Sequence, residues 1–212
     1  MKIAFYLDPS CPFCWITSRW LLIVEKHRDL EIDWRLFSLA LKNDELNNTG
    51  NDKTLHGDSH RSSHRVMRVM KAAQTNYDAS LIDLYSDFGM IFHVGEQAYN
   101  DQLISDILAK HNLPAELLAS ANDTSYDKLL SESIKSATDI AGQDIGVPTI
   151  VFTNDDGQEV GYFGPVLQEL PGTEESLKIW DGLSNLATSG SFYELKRSRP
   201  SGQPDVFSTA KC

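Results

Sequence analysis

The sequence of 212 residues predicts an α/β fold in which a helical block interrupts a mixed sheet. The order of elements carries this prediction: strand, helix and strand come first, then helices alone, then two strands and a helix. The length suits one large domain or two small ones. Hydrophobic residues make up 41% of the chain and charged residues 23%, which is ordinary for a soluble globular protein.

The first three elements form a strand–helix–strand unit. The nearly unbroken apolar run KIAFYLD, residues 2–8, predicts a strand that is buried on both faces. A helix is predicted over residues 12–28, because Pro12 fits a first helical turn and apolar side chains recur along one side. Residues 32–39 alternate apolar and polar side chains, which predicts a half-buried strand. The crossover of such a unit is expected to be right-handed.

The middle of the chain is helical. Residues 43–57 are polar and rich in turn-forming residues, which predicts a loop, whereas residues 58–142 show helical periodicity and little strand signal. We therefore expect the helical block to be an insertion in the sheet domain. The predicted limits are residues 1–57 for the first half of that domain with its loop, 58–146 for the insertion, and 147–212 for the second half and the C-terminal tail.

Strands return in the C-terminal part. The segments VPTIVF (147–152) and EVGYFG (159–164) predict two strands, and Asp156-Gly157 between them favours a hairpin. Thr173 can cap a last long helix. The tail RSRPSGQPDVFSTAKC is rich in Pro, Gly and Ser, so we expect it to be an extended, mobile arm.

Charge and composition exclude some classes of function. The net charge is -11, and an acidic chain is a poor candidate for binding nucleic acid or an anionic membrane. No apolar run approaches the length of a membrane span, and the N-terminus lacks the long apolar segment and cleavage site of a signal peptide. We therefore expect a cytoplasmic protein. In that compartment the three cysteines are not expected to form a structural disulfide framework.

Two of the three cysteines stand close together in the stretch DPSCPFCW, residues 8–15. A structural zinc site needs four ligands, and the third cysteine, Cys212, is isolated in the tail. A structural disulfide across two residues would remove little entropy from the unfolded chain. A redox pair explains the context, because a helix start favours a thiolate on Cys11 and lowers its pKa. Cys14, turned inward, could then resolve a mixed disulfide on Cys11, and a C-x-x-C motif beside a βαβ unit is typical of thioredoxin-like proteins.

Three histidines, which recur every four residues, form a rival candidate for a metal site. His56, His60 and His64 would share a face on one helix. Gly57 and Asp58, however, are typical of a helix start, which leaves His56 outside the helix. We therefore expect no metal site, and we interpret His60 and His64 as surface or groove residues.

The motif CPFC at the start of the first helix and GVPT at the start of a later strand resemble the DsbA-like branch of the thioredoxin superfamily. The stretches DPSCPFCWITSRWL, SLALKN, GQDIGVPTI, FGPVL, WDG and FYELKR resemble the mycothiol-dependent nitroreductases of actinobacteria, from residue 3 to about residue 199. The resemblance implies a thioredoxin fold with a DsbA-like helical insertion. It also implies a cytoplasmic enzyme with no bound cofactor, which uses mycothiol as its reducing co-substrate. The implied substrates are small-molecule or protein disulfides and, in some members, nitroaromatic compounds.

The resemblance further implies the roles of individual residues. Cys11 is the expected attacking cysteine, Cys14 the resolving cysteine, and Pro148 a cis-proline opposite them. A cleft between the sheet and the helical block is expected to hold the thiol donor, with Asn43 as a gate and the polar loop 43–57 as a lid. The expected substrate-binding residues are Pro12, Phe13, Trp15, Asn43, Val147 and Pro148.

Two features separate the possible activities. Phe13 replaces a Trp of the family, and Ile134 and Lys135 replace histidines. These departures bear on nitroaromatic reduction and leave the dithiol chemistry unaffected. The alternatives are a kappa-type glutathione transferase, a 2-hydroxychromene-2-carboxylate isomerase-like enzyme, or a non-redox chaperone or interaction module. The two alternative enzymes usually present a serine at the attacking position and do not need Cys14, so the intact pair argues against them.

Overall fold

The structure is a computed structural model that describes residues 1–46, 56–154 and 156–210. Within these ranges four strands form one sheet: β1 (Lys2–Leu7), β2 (Glu31–Leu36), β3 (Thr149–Thr153) and β4 (Glu159–Phe163). The strand order is β2-β1-β3-β4, and β3 pairs antiparallel with both β1 and β4. The β3–β4 pairing confirms the predicted hairpin, although Asp155 in its turn lies outside the described residues.

The α-helices of the described ranges are α1 (Pro12–Glu25), α2 (Leu39–Lys42), α3 (Gly57–Tyr77), α4 (Leu81–Gly89), α5 (Asp101–Lys110), α6 (Asp127–Ala141) and α7 (Thr173–Ala187). The short helix α2 falls partly in the predicted second strand and was not expected. Ser38 caps it by accepting a hydrogen bond from Leu41 N at 3.2 Å. The stretch PAELLASA, whose periodicity predicts an α-helix, instead forms a 3-10 helix over Ala115–Asn122. None of the described helices is long and apolar enough to cross a membrane.

The chain divides into two compact units. The first comprises Met1–Tyr6, Cys11–Trp34 and Ala137–Cys212, and it holds α1, the β3–β4 hairpin and α7. The second comprises Leu7–Ser10 and Arg35–Ser136, with helices α2 to α5. The domain limits predicted from the sequence stay a prediction.

Aromatic side chains build the core of the first unit. Trp20 of α1 and Phe152 of β3 each place a ring 6.0 Å from the ring of Trp180 in α7. The Trp20 indole N–H donates to Ser176 O at 3.1 Å, so its polar atom is satisfied inside the core. Large aromatic side chains contribute much of the burial free energy of a core. This packing holds α1, and therefore the cysteines at its start, against β3 and α7.

The other face of the hairpin meets the C-terminal end of α6. A Cβ atom on Gly161 of β4 would lie 2.6 Å from the Cβ of Ala141, closer than real Cβ atoms come. Gly161 therefore permits a close approach of helix and strand that a larger residue would prevent.

The C-terminal tail differs from the mobile arm that its composition predicts. Val206–Thr209 form a turn of 3-10 helix, and the buried side chain of Thr209 accepts a hydrogen bond from Nε1 of Trp15 at 2.8 Å. The backbone N of Asp205 donates to Gln168 O at 2.8 Å. The prediction is wrong for this part of the tail because composition reports local preferences, whereas these partners are distant in sequence.

Candidate active site

The two cysteines of the CPFC motif lie at the start of α1. Cys11 is the N-cap residue, with φ -84° and ψ 114°, and its Sγ accepts a hydrogen bond from the backbone N of Cys14 at 3.5 Å. Pro12 occupies the first helical turn, where its missing N–H is no loss. Unpaired N–H groups and the helix dipole favour negative charge at this end of a helix. We therefore expect the thiolate form to be favoured at Cys11.

The two cysteine residues differ slightly in exposure. Cys11 keeps 8% of its surface exposed, whereas Cys14 has 0%. No disulfide joins the two sulfurs in this structure. Both residues are thus buried, and Cys11 keeps slightly more exposed surface than Cys14. The third cysteine, Cys212, lies outside the described residues.

A distant segment of the chain meets Cys11. Its Sγ lies 3.6 Å from the carbonyl O of Val147, across 136 positions of sequence, and as a thiol it donates to that oxygen. The Val147–Pro148 bond is cis, as the family resemblance implies. The carbonyl O of Pro148 accepts from Gly164 N at 2.7 Å, which ties this segment to the end of β4. The predicted residues Cys11, Cys14, Val147 and Pro148 therefore come together in the first unit.

A second contact ties the end of β4 to α1, and sequence reasoning missed it. The Gly164–Pro165 bond is also cis, and Oγ1 of Thr17 donates to the carbonyl O of Pro165 at 2.9 Å. The motif FGPVL contains this Gly-Pro pair, so the signal was in the sequence. Thr17, one turn after Cys14, thus has a structural partner.

The two predicted aromatic contacts have different environments. Phe13 is half-buried, and the Arg199 guanidinium lies over its ring, with Cζ 4.7 Å from the ring centroid. Trp15 is fully buried, donates its N–H to Thr209, and has the Arg19 guanidinium 4.3 Å from its ring centroid. In this conformation Trp15 presents no surface to a ligand. Phe13 remains the aromatic candidate for substrate contact.

Asn43 lies in the second unit, at the C-cap of α2. Its Nδ2 donates to Oε1 of Glu45 at 3.3 Å. The other oxygen of this buried carboxylate lies 2.7 Å from Nδ1 of His60. One carboxylate thus holds both Asn43 and His60. The role of Asn43 as a gate stays a prediction, and residues 47–55 of the predicted lid lie outside the described residues.

The histidines of the rival metal site have separate environments. His56 precedes α3, as predicted. His64 is buried, with Nδ1 2.9 Å from Oγ of Ser38 and Nε2 3.0 Å from Oδ1 of Asp127. Burial, with the nearby positive charge of Arg68, lowers the pKa of His64. The interpretation as a surface or groove residue is therefore wrong for His64. Among the described residues no group of three or more His, Cys, Asp or Glu side chains could hold a metal ion.

Two side chains of the second unit hold the backbone just before the cysteines. Nε2 of His93 lies 2.9 Å from the carbonyl O of Pro9, and Tyr99 donates its O–H to the same oxygen at 3.1 Å. Burial lowers the pKa of His93 to about 4, so the ring is neutral near pH 7 and Nε2–H donates. Sequence reasoning missed both residues, because an isolated His and Tyr carry no motif.

The buried carboxylate of Asp8 locks the turn between β1 and α1. It accepts hydrogen bonds from Ser10 N at 2.8 Å, Ser10 Oγ at 2.7 Å, Ser63 Oγ at 2.5 Å and Leu39 N at 2.8 Å. A buried carboxylate needs such partners, since an unpaired one would be costly. Asp8 and Ser10, which precede Cys11 in the chain, are therefore held by hydrogen bonds within the second unit.

Comparison with known proteins links this geometry to a family. Residues 10–197 match the family described as "Rv2466c-like: Mycothiol-dependent nitroreductase Rv2466c". The chain is also 29% identical over 208 residues to "Uncharacterized protein Rv2286c" of Mycobacterium tuberculosis, covering 96% of this chain and 84% of that protein.

Solved structures share the fold at low identity. The cytosolic disulfide reductase DsbM from Pseudomonas aeruginosa is similar, with a TM-score of 0.59, 12% identity, and 88% of this chain and 100% of that chain covered. The probable DsbA oxidoreductase SCO1869 from Streptomyces coelicolor gives a TM-score of 0.57, 15% identity, and 95% and 97% coverage. A 2-hydroxychromene-2-carboxylate isomerase gives 0.54, 14% identity, and 88% and 96% coverage.

These likenesses confirm the predicted DsbA-like thioredoxin fold. Since an isomerase shares that fold, the fold alone does not choose between the functions. The family match is more specific than the likeness of fold, because it includes the CPFC motif and extends over most of the chain. The chain belongs to the Rv2466c-like family of mycothiol-dependent nitroreductases.

Proposed function

We propose that this protein is a thiol–disulfide oxidoreductase that reduces disulfides through Cys11 and Cys14 with electrons from mycothiol. The observation that carries the proposal is the asymmetry of the two sulfurs. Cys11 is the N-cap residue beside the Val147 carbonyl and keeps 8% of its surface exposed, whereas Cys14 has 0%. This arrangement suits an attacking cysteine followed by a resolving one. The family description supports mycothiol as the electron donor.

The reaction is a pair of thiol–disulfide exchanges. The Cys11 thiolate attacks one sulfur of the substrate disulfide, the S–S bond breaks, and one thiolate leaves and takes a proton from solvent. Cys14 then loses its proton and attacks Cys11, which releases the second thiolate and forms the Cys11–Cys14 disulfide. Two electrons have passed to the substrate. Two mycothiol molecules reverse these steps and leave as mycothiol disulfide.

The backbone at Val147 offers a place for the bound thiol. Its carbonyl O already accepts from Cys11, so a substrate in extended form can pair with the same backbone segment. Phe13 adds a half-buried aromatic face for the apolar part of a substrate.

Nitroaromatic compounds are a secondary substrate class in this proposal. The family description names a nitroreductase, but Ile134 and Lys135 on α6 provide no imidazole for proton transfer. We therefore expect nitroaromatic reduction to be slower than disulfide reduction.

We place the reaction in the cytoplasm, where low-molecular-weight thiols keep cysteines reduced. The fold neighbour DsbM is described as a cytosolic disulfide reductase, which supports this location. The expected partners are mycothiol and a small-molecule or protein disulfide. Nucleic acid and anionic membranes are not expected partners, because the protein carries a net charge of -11.

The test couples the enzyme to NADPH oxidation through mycothiol and its reductase, or through glutathione and its reductase. Mycothiol should support much faster disulfide reduction than glutathione. Cys11→Ser should lose turnover, whereas Cys14→Ser should accumulate a mixed disulfide on Cys11 that mass spectrometry identifies. Equal rates with the two thiols would refute the mycothiol assignment alone. Full turnover by Cys11→Ser would refute the mechanism.

A further inference from the structure

A segment of the C-terminal tail, residues 193–202 and here called the strap, is anchored at both ends on the first unit. Before it, the Tyr162 hydroxyl donates to Phe192 O at 2.8 Å. After it, Nε2 of Gln168 donates to Gln203 O at 3.1 Å. These anchors limit where the side chains of the strap can go.

One side chain of the strap lies on the redox motif. The Arg199 guanidinium is exposed, and its Cζ lies 4.7 Å from the ring centroid of Phe13. Phe13 stands between Cys11 and Cys14 in the sequence, so the strap brings a positive charge onto the middle of the CPFC motif. Within the part of the chain that the structure describes, this guanidinium makes no hydrogen bond or ion pair. Its N–H donors are therefore available to a ligand.

The local charge contrasts with that of the whole chain. The protein carries a net charge of -11, which repels anionic ligands. The strap has three basic residues, Lys196, Arg197 and Arg199, against one acidic residue, Glu194. Of these three, Arg199 is the one whose contact with the CPFC motif is seen. Arg199 can therefore offer a compensating positive charge to an anionic ligand beside Phe13.

We propose that Arg199 is a specificity-determining residue that holds a carboxylate of a small anionic disulfide while Cys11 attacks the sulfur. A guanidinium can stack on an aromatic face and still donate two parallel N–H bonds to a carboxylate. The strap would thus supply the guanidinium, and the ring of Phe13 would set its position. The exchange itself is unchanged: the substrate S–S bond breaks, and the Cys11–substrate disulfide forms. The inference rests on the proposed function in that Cys11 is the attacking sulfur.

A first test compares two alkylating reagents of similar size at Cys11. Iodoacetate carries a carboxylate and iodoacetamide does not, and peptide mapping separates Cys11 from the other cysteines. At low salt, Arg199→Ala should lower the iodoacetate-to-iodoacetamide rate ratio by about fivefold relative to the natural protein, as expected for loss of one nearby charge. Arg199→Lys should restore part of the ratio, and added salt should shrink the difference.

Arg197→Ala is the matched control, because it removes the same charge two residues away. It should leave the ratio near that of the natural protein. A ratio that falls equally in Arg197→Ala and Arg199→Ala would overturn the inference, since it would show only general surface charge. An unchanged ratio in Arg199→Ala would overturn it as well.

A second test uses turnover. With saturating reductant, Arg199→Ala should raise the KM for the dianionic 5,5′-dithiobis(2-nitrobenzoate) by about fivefold and leave the KM for uncharged bis(2-hydroxyethyl) disulfide unchanged. Equal changes in both KM values would overturn the inference while the proposed function stands. If neither reagent labels Cys11 and neither disulfide is reduced, the proposed function fails, and the inference fails with it.

Discussion

At the scale of single residues, the site depends on a difference between two chemically identical side chains. Cys11 caps α1 and keeps a small exposed surface, whereas Cys14 is fully buried. A thiolate is favoured by a helix N-terminus and disfavoured in apolar surroundings. Position within one helical turn therefore gives the two cysteines different surroundings, which supports the different roles that we propose for them.

His93 should make stability depend on pH. Its pKa is lowered to about 4 by burial, while in the unfolded chain it titrates near 6.5. As the pH falls below 6.5 the unfolded state binds a proton that the folded state does not bind, so the folded state loses stability. Between pH 7 and pH 5 this one group should cost roughly 2 kcal/mol. Urea unfolding at the two pH values measures the loss.

His93→Gln is the informative variant, because its side-chain amide can still donate to Pro9 O but does not titrate. It should lose less stability than the natural protein over the same pH range. Some loss should remain, since the pKa of buried His64 is also lowered. An identical pH dependence in the variant and the natural protein would contradict this assignment.

At the scale of elements, the C-terminal 3-10 turn should stabilise α1. Thr209→Val keeps the shape of the side chain but leaves the buried N–H of Trp15 without its acceptor. An unsatisfied buried donor typically costs about 1–3 kcal/mol, so the free energy of unfolding should fall by that amount. Thr188→Val is the control, because Thr188 is exposed and bonds only to its own helix. Equal denaturant midpoints for the two variants would contradict the expected role of Thr209.

Substitution of two glycines by Ala should change stability in opposite directions, because Gly161 lies at the contact between β4 and α6 whereas Gly182 has open space around it. Gly161→Ala should destabilise the protein by about 1–3 kcal/mol, because its new Cβ would clash with Ala141. Gly182→Ala, within α7, should instead stabilise it by about 0.5–1 kcal/mol, because nothing lies within 4 Å of the new Cβ and Ala favours helix. Thermal unfolding of both variants measures the two effects. A destabilised Gly182→Ala, or an unchanged Gly161→Ala, would contradict this account.

At the scale of the whole molecule, oxidation of the two thiols distinguishes a redox enzyme from a non-redox chaperone on the same fold. A mild oxidant should remove two of the three thiols per chain, and mycothiol should restore them. The oxidised chain should keep the mass of a single chain less two hydrogens, because the bond joins Cys11 and Cys14. Thiol titration with intact-mass analysis follows this cycle. Retention of all three thiols would support a non-redox role.

The sequence by itself determined most of the order of strands and helices, and it singled out the two cysteines that we propose as the redox pair. The apolar run of β1, the hairpin signal before β4 and the helical periodicity of the middle all report local preferences, which a sequence displays directly. Cys11 and Cys14 could be found because the chemistry of a dithiol requires a short spacing. The resemblance to the family added Val147 and Pro148, which no local pattern would have placed beside the cysteines.

Only the tertiary structure decided which other side chains lie at or near that pair. It brings Arg199 onto Phe13, covers Trp15 with Thr209, and directs His93 to Pro9 O. Each of these contacts joins positions that are scores of residues apart, and composition predicted the opposite for the tail. Periodicity and caps record what a residue prefers among its sequence neighbours, whereas these contacts form because packing satisfies buried polar groups and aromatic faces with whatever the fold brings near.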